Sequence, residues 1–126
     1  MLRVGIAQID ISIGNREANR QKVADWMKRY YVKSPQETVI VLPEIWDVGY
    51  ALEDAGRLAD PEGASAAEFL GHLAREYGTW FAGGSVLAGT KTGAANRAQV
   101  IDPQGRLVAQ YDKIHLIPLM DEQESL

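Results

Sequence analysis

The chain has 126 residues, enough for one domain with a real core and too few for two. It is 46% hydrophobic and 24% charged, the balance of a globular rather than a disordered chain. A net charge of −4 argues against a general nucleic-acid binder, and the absence of cysteine excludes disulfides, thiolate metal sites and a cysteine nucleophile from this chain.

The amino-terminal run Met-Leu-Arg-Val-Gly-Ile breaks at Asp10, too short for the apolar core of a leader. The longest aliphatic run, Val39 to Leu42, is far short of the roughly 20 residues a spanning helix needs. With no membrane partner indicated, a cytoplasmic location is expected.

Alternation over Leu2 to Ile9 predicts a strand, with Leu2, Val4 and Ile6 on one face and Arg3, Gly5 and Ala7 on the other. Gly14-Asn15 breaks it, and Asn15 suits a helix N-cap. Val23, Trp26, Met27 and Tyr30 fall at helical spacing, predicting a helix from Arg16 to about Val32, before Ser34-Pro35. Thr38 to Leu42 is a continuous β-branched run that suits a strand covered on both faces, closed by Pro43-Glu44. A second helix is predicted over Ser65 to Tyr77, with Ala66, Leu70, Leu73 and Tyr77 inward, a Ser65/Glu68 capping box and Gly78 as the stop. Trp80 to Leu87 resumes as a strand interrupted at Gly83-Gly84, and Gly89 to Gly93 is a polar turn. Arg97 to Ile101 and Leu107 to Tyr111 form a hairpin, because Asp102-Pro103-Gln104-Gly105 has the residues of a type I turn.

The resulting order, β-α-β-α-β-β-β, predicts an α/β domain with two helices on one face of a sheet. The other face would be left bare and apolar, which hints at a missing partner or a missing half.

Glu44 follows an apolar strand at the carboxyl edge, where α/β sheets place ligand sites. A carboxylate beside Ile45 and Trp46 could be raised toward neutrality as a general base, or it could simply cap a turn. In Tyr111-Asp112-Lys113-Ile114-His115-Leu116, alternation puts Tyr111, Lys113 and His115 together. Lys113 could steady a developing oxyanion, or be a surface lysine paired with a neighbouring acid. His72 and His115, the two histidines, show no metal-ligand spacing, and His72 reads as a solvent-side helix residue. Gly83-Gly84-Ser85 has neither P-loop nor dinucleotide spacing and reads as a kink where another backbone comes close. Ser85 lacks the nucleophile-elbow context.

Taken together, these stretches resemble the amino-terminal part of the nitrilase superfamily, the carbon–nitrogen hydrolases. The resemblance rests on Val4-Gly5-Ile6-Ala7-Gln8, Leu42-Pro43-Glu44 with Gly49-Tyr50, and Gly83-Gly84-Ser85. It continues through Asn96, Val100-Ile101-Asp102-Pro103 with Gly105, and Tyr111-Asp112-Lys113-Ile114-His115-Leu116. Ala95 stands where a tyrosine often precedes the asparagine.

The resemblance implies half of an α-β-β-α sandwich and a hydrolase of amide, carbamoyl or nitrile groups using a Cys-Glu-Lys set. It assigns Glu44 as general base, Lys113 as the cation for the tetrahedral intermediate, and Glu122 as a second glutamate. It also implies a small amide or nitrile substrate, no cofactor or metal, and a homo-oligomer when complete. The stretch Pro118-Leu119-Met120-Asp121-Glu122 resembles the branch that acts on small ω-amides of dicarboxylic acids.

The chemistry explains those residue types. A thiol attacks only as thiolate, so a base must take its proton, and a cation must already face the oxygen that gains charge. The family's cysteine lies some tens of residues beyond the lysine, whereas this chain ends 13 residues after Lys113. Residues 1–126 are therefore expected to be the amino-terminal part of a single hydrolase domain, truncated before its nucleophile and inactive alone. The alternative is a non-enzymatic relative that binds a partner through its bare sheet face.

Overall fold

The computed structural model describes residues 1–82 and 84–114. Seven strands form one mixed sheet: β1 (Leu2–Ile6), β2 (Glu37–Val41), β3 (Asp60–Pro61), β4 (Trp80–Ala82), β5 (Val86–Thr90), β6 (Gly93–Ile101) and β7 (Leu107–Asp112). Hydrogen-bonded neighbours run β1-β2-β4-β6-β5-β3, and β7 also pairs with β6.

Strand β1 runs parallel to β2 and stops at Ile6 rather than Ile9. Its partner ends at Val41, ahead of Pro43, so the ladder closes with Ala7 N–H donating to Val41 O at 2.9 Å. Helix α1 (Arg16–Tyr30) starts as predicted: Asn15 is the N-cap, and its side chain accepts from the Ala18 N–H at 3.0 Å. Tyr31 is already extended, two residues earlier than expected. Val23 and Met27 are buried as predicted, whereas Tyr30 is exposed and Asn19 takes a buried place on that face.

A 3₁₀ turn (Leu52–Asp54) and a short helix α2 (Ala55–Leu58) precede β3. None of the three has enough periodicity to show in the sequence. Helix α3 (Ala64–Tyr77) ends at Gly78 in the left-handed conformation, as its stop signal implied. The predicted capping box does not form. Gly63 is the N-cap, and the buried Asp60 carboxylate accepts from the N–H groups of Ser65 (3.4 Å) and Ala66 (2.9 Å). A charged acceptor delivered by β3 displaces the Ser65 hydroxyl, which accepts from Arg20 instead at 2.7 Å.

Strands β4 and β5 lie along β6 in registers that differ by one residue (Phe81↔Ile101, Val86↔Arg97). They behave as one strand with a break between Ala82 and Val86, where the sequence put it, although Gly83 itself lies outside the described residues. The β5–β6 turn is tighter than predicted, because Gly89 and Thr90 pair with Ala94 and Gly93. At the second hairpin, Gly105 N–H donates to Asp102 O at 2.8 Å, the bond of the predicted turn.

Both main helices cover the same face. Val23 and Met27 of α1 and Ala66, Leu70, Leu73 and Ala74 of α3 share one core with Ile40, Phe81, Val86 and Ile101. The opposite face is open over β1 and β7, where Leu2, Val4, Ile6 and Tyr111 are each more than half exposed, while over β5 a second cluster of Ile45, Val48, Leu52, Leu58 and Leu87 covers it. Thr38 to Leu42 is thus covered on one side only, with Thr38, Ile40 and Leu42 buried and Val39 and Val41 half-buried. Among the described residues, no helix is long and apolar enough to cross a membrane.

Candidate active site

Glu44 leaves the end of β2 on a backbone held in an unusual shape. The next residue, Ile45, is completely buried and sits at φ 44°, a left-handed conformation that a β-branched residue adopts at a cost of about 1–3 kcal/mol. Ser85 holds it there. Ile45 N–H donates to Ser85 Oγ at 2.9 Å, Trp46 N–H donates to Ser85 O at 3.0 Å, and Ser85 N–H donates to Pro43 O at 3.3 Å.

Gly84, at φ +66°, makes this approach possible, because a Cβ there would collide with the carbonyl oxygens of Leu42 and Pro43. Gly84 and Ser85, within the predicted kink, therefore serve to seat the Glu44 loop. Ser85 is a buried backbone partner.

Beneath the loop, Asp47 is fully buried and pairs with Arg16 at 3.2 Å. Its Oδ1 accepts the Leu87 N–H at 3.2 Å, and its carbonyl accepts the Asn19 amide at 2.8 Å. Arg16 also donates to Leu58 O. This cluster ties α1, β5 and α2 to the Glu44 loop. Burial pushes the Asp47 carboxyl up from its ordinary value, against the opposing pull of Arg16.

Three side chains converge on the Glu44 carboxylate. Lys113 Nζ donates to Oε1 at 2.9 Å, Asn96 Nδ2 donates to Oε1 at 2.8 Å, and Tyr50 is also hydrogen-bonded to this carboxylate. Asn96 comes from β6, and Lys113 lies one residue past β7, with its N–H donating to Asn96 O at 2.9 Å.

Burial raises the Glu44 pKa, but the Lys113, Tyr50 and Asn96 hydrogen bonds and the Lys113 charge outweigh it and leave it below the ordinary glutamate value. This corrects the expectation of a carboxyl raised toward neutrality. Ile45 and Trp46 are apolar, but they pack into the core, while Glu44 stays 42% exposed among polar partners.

Glu44, Asn96, Ala98, Tyr111 and Lys113 line an open cavity of about 310 Å³ together with Gly84 and Ser85. A larger hollow of about 560 Å³, lined by residues that include Ala55, Pro61, Lys91 and Ala94, lies elsewhere and includes none of these groups. His72 is on the exposed side of α3, as predicted, beside Arg75. His115 and Glu122 lie outside the described residues. Among the described residues, no three His, Asp or Glu side chains gather where a metal could be held. The cavity thus presents an ionised carboxylate, an ammonium group and an amide. It can accept a proton and stabilise negative charge.

The carbon–nitrogen hydrolase family profile matches residues 3–126. The chain belongs to this family. It is 34% identical over 119 residues to the 2-oxoglutaramate amidase of Bacillus subtilis, covering 94% of this chain and 45% of that protein. It is 32% identical over 125 residues to a Staphylococcus aureus protein described as a hydrolase in the agr operon, covering 99% of this chain and 47% of that one. The chain therefore spans about half the length of the curated relatives it matches.

The fold agrees. A crystal structure of a carbon–nitrogen hydrolase superfamily protein from Xanthomonas campestris matches with TM-score 0.85 at 23% identity, over 98% of this chain and 44% of that one. A nitrilase-superfamily member of branch 10 from Saccharomyces cerevisiae matches with TM-score 0.82 at 22% identity, over 99% and 47%.

Asn96 and Tyr50 stood in the motif stretches without an assigned role, and the structure puts both on the Glu44 carboxylate. Asn96 had a legible signal, since it is the polar residue on a strand face otherwise formed by Ala94, Ala98 and Val100, and such a residue needs a partner. Tyr50 had none beyond its place after Gly49.

Proposed function

We propose that this chain carries the base-and-cation part of an amide-hydrolysing site. Glu44 serves as general base, Lys113 stabilises the tetrahedral intermediate, and Glu122 assists. The observation that carries this reading is the Lys113–Glu44–Asn96 contact at the open cavity, with Oε1 of one carboxylate held at 2.9 and 2.8 Å. A carboxylate kept ionised by an adjacent ammonium can take the proton of an attacking thiol and later of water. The same ammonium can face the oxygen that becomes negative. Similarity to a 2-oxoglutaramate amidase supports a small ω-amide of a dicarboxylic acid as the substrate class.

With no cysteine in its sequence, the chain cannot form the thioester of this route. Residues 1–126 are the amino-terminal part of one hydrolase domain, and alone they give no turnover. The test has two arms. The purified chain is incubated with 2-oxoglutaramate and a panel of small amides and nitriles, and ammonia release is followed. None is expected, and turnover that survives repurification but disappears in Glu44→Gln would overturn the inactivity.

In the second arm the chain is joined to the remaining part of the Bacillus amidase. Glu44→Gln and Lys113→Ala should each then lower kcat by about 10²- to 10³-fold, with a milder loss for Glu122→Gln. Near-unchanged kcat removes a residue from its role. A chimera that never turns over, with the open sheet face still binding another polypeptide, would favour the reading as a non-enzymatic binding module, which the exposed Leu2, Val4 and Ile6 support.

A further inference from the structure

We propose that Arg97 and Asp112, paired on the helix-covered face of the sheet, are positioning residues that hold Lys113 against Glu44 on the open face. That the Lys113–Glu44 pair works in hydrolysis rests on the function proposed above; the mechanical coupling does not.

Strand β7 has little else to fix its register. All six of its residues are exposed, so burial of an apolar face does not select one pairing over another. Its ladder with β6 also carries an irregularity between Val100 and Ile101, which loosens control from the hairpin turn. A slip of one residue would carry Lys113 from the open face to the helix face and away from Glu44.

Beyond the backbone ladder, which Lys113 N–H extends to Asn96 O at 2.9 Å, the far end of β7 is fastened to β6 by a directional side-chain contact. Arg97 Nε donates to Asp112 Oδ1 at 2.6 Å and Nη2 donates to Oδ2 at 3.0 Å, a bidentate fork between Cα partners. Arg97 is 7% exposed and its guanidinium is itself anchored, with Nη1 donating to Glu62 Oε2 at 3.0 Å and Glu62 O at 3.2 Å. Glu62 immediately precedes Gly63, the N-cap of α3. Each fork residue neighbours a site residue: Arg97 follows Asn96, and Asp112 precedes Lys113. Alternation then sends Asn96 and Lys113 to the opposite face, where both reach Glu44 Oε1. The fork fixes position from behind.

Electrostatics alone and geometry predict opposite outcomes. Removing the Asp112 charge takes a negative group from the neighbourhood of Glu44, which by charge alone would lower the Glu44 pKa further. Releasing Lys113 would raise it. The experiment is a side-chain carboxyl ¹³C NMR titration of Glu44 in the 126-residue chain and in Asp112→Asn, Arg97→Lys and Lys113→Ala, with circular dichroism to confirm folding.

Arg97→Lys keeps the charge and loses the fork. An upward shift is expected in Asp112→Asn and in Arg97→Lys. Combining either with Lys113→Ala should raise it no further than Lys113→Ala alone. An unchanged or lowered Glu44 pKa, or additive shifts in the double variants, would overturn the proposal. If Asp112→Asn does not fold, Arg97→Lys decides, and loss of fold in both would also overturn it by making the fork a folding element. Because the readout is one carboxyl and not turnover, failure here is separate from failure of the proposed reaction.

Discussion

The two faces of this sheet are built on different terms. On the helix-covered face, Met27, Ile40, Phe81 and Ile101 are at most 2% exposed and interlock across α1, α3 and the central strands. On the open face, Ile6 is 70% exposed and Val4 55% exposed, although their strand is held by the same parallel ladder to β2. The main core therefore lies on one face, and the proposed chemistry on the other, beside a smaller buried cluster of Ile45, Val48, Leu52, Leu58 and Leu87. Glu44, Asn96 and Lys113 gain their positions from backbone and ion-pair anchors, with the buried Ile45 and Leu87 beside them. A site built this way can stay open to solvent without loosening the core.

The sharpest test of that division is a core truncation. Met27→Ala removes a side chain with no exposure, so a loss of about 2–5 kcal/mol is expected. In a chain of this length that lowers the melting temperature by on the order of 10 °C, read by circular dichroism. A loss under about 1 kcal/mol would mean that α1 is not part of the stabilising face.

What the sequence disclosed follows the same division. Helices α1 and α3 were legible because their apolar spacing, Asn15 cap and Gly78 stop are local signals that tertiary packing left alone. The α3 N-terminus was misread because its cap arrives from Asp60, outside the Ser65–Glu68 window where a capping box is sought. Glu44 and Lys113 were legible through motifs. The direction of the Glu44 pKa was not, because it depends on Lys113 and Asn96, which lie 69 and 52 residues away in sequence. The strain at Ile45 was equally hidden, since nothing in an isoleucine forecasts a positive φ.

A smaller loss is expected where the two faces are joined. Asp47→Ala deletes the acceptor for Leu87 N–H and the partner of Arg16 beneath the Glu44 loop, and should cost about 1–3 kcal/mol in chemical denaturation. It should also shift the NMR signals of Glu44. A stable variant with an undisturbed Glu44 would show that the buried cluster does not support the site.

Acid should separate the faces more gently. Hydrogen bonds from Arg97 hold the Asp112 carboxyl below its ordinary value, and Glu44 is also lowered, despite burial that opposes it, by its hydrogen bonds and the Lys113 charge. For such groups the stabilisation is fully present above the unfolded carboxylate pKa, near about 4, and is lost as pH falls through the folded value. Asp47 runs the other way: its raised pKa means that acidification relieves a cost. Thermal stability should therefore fall below about pH 4, and less steeply in Asp112→Asn. Equal slopes would remove the Arg97–Asp112 fork from the acid response.

The least effect on folding is expected from Ile6→Ser. Its side chain leaves no cavity, because it is 70% exposed, so the change in stability should stay within about 0.5 kcal/mol. Its effect on association should be visible all the same. Leu2, Val4 and Ile6 alternate along β1 on one side, and beside Val39 and Val41 they form a continuous apolar strip exposed to water. Such strips drive contact between chains. Light scattering should find the wild-type chain associating at micromolar concentration and Ile6→Ser shifted toward monomer, with less binding of a hydrophobic dye. A wild-type chain that stays monomeric and dye-free would show that the open face is tolerated by water, and would remove the contrast in burial from which the two-face comparison begins. A wild-type that associates equally with Ile6→Ser would move the contact elsewhere, to the edge of β7 that has no strand partner among the described residues.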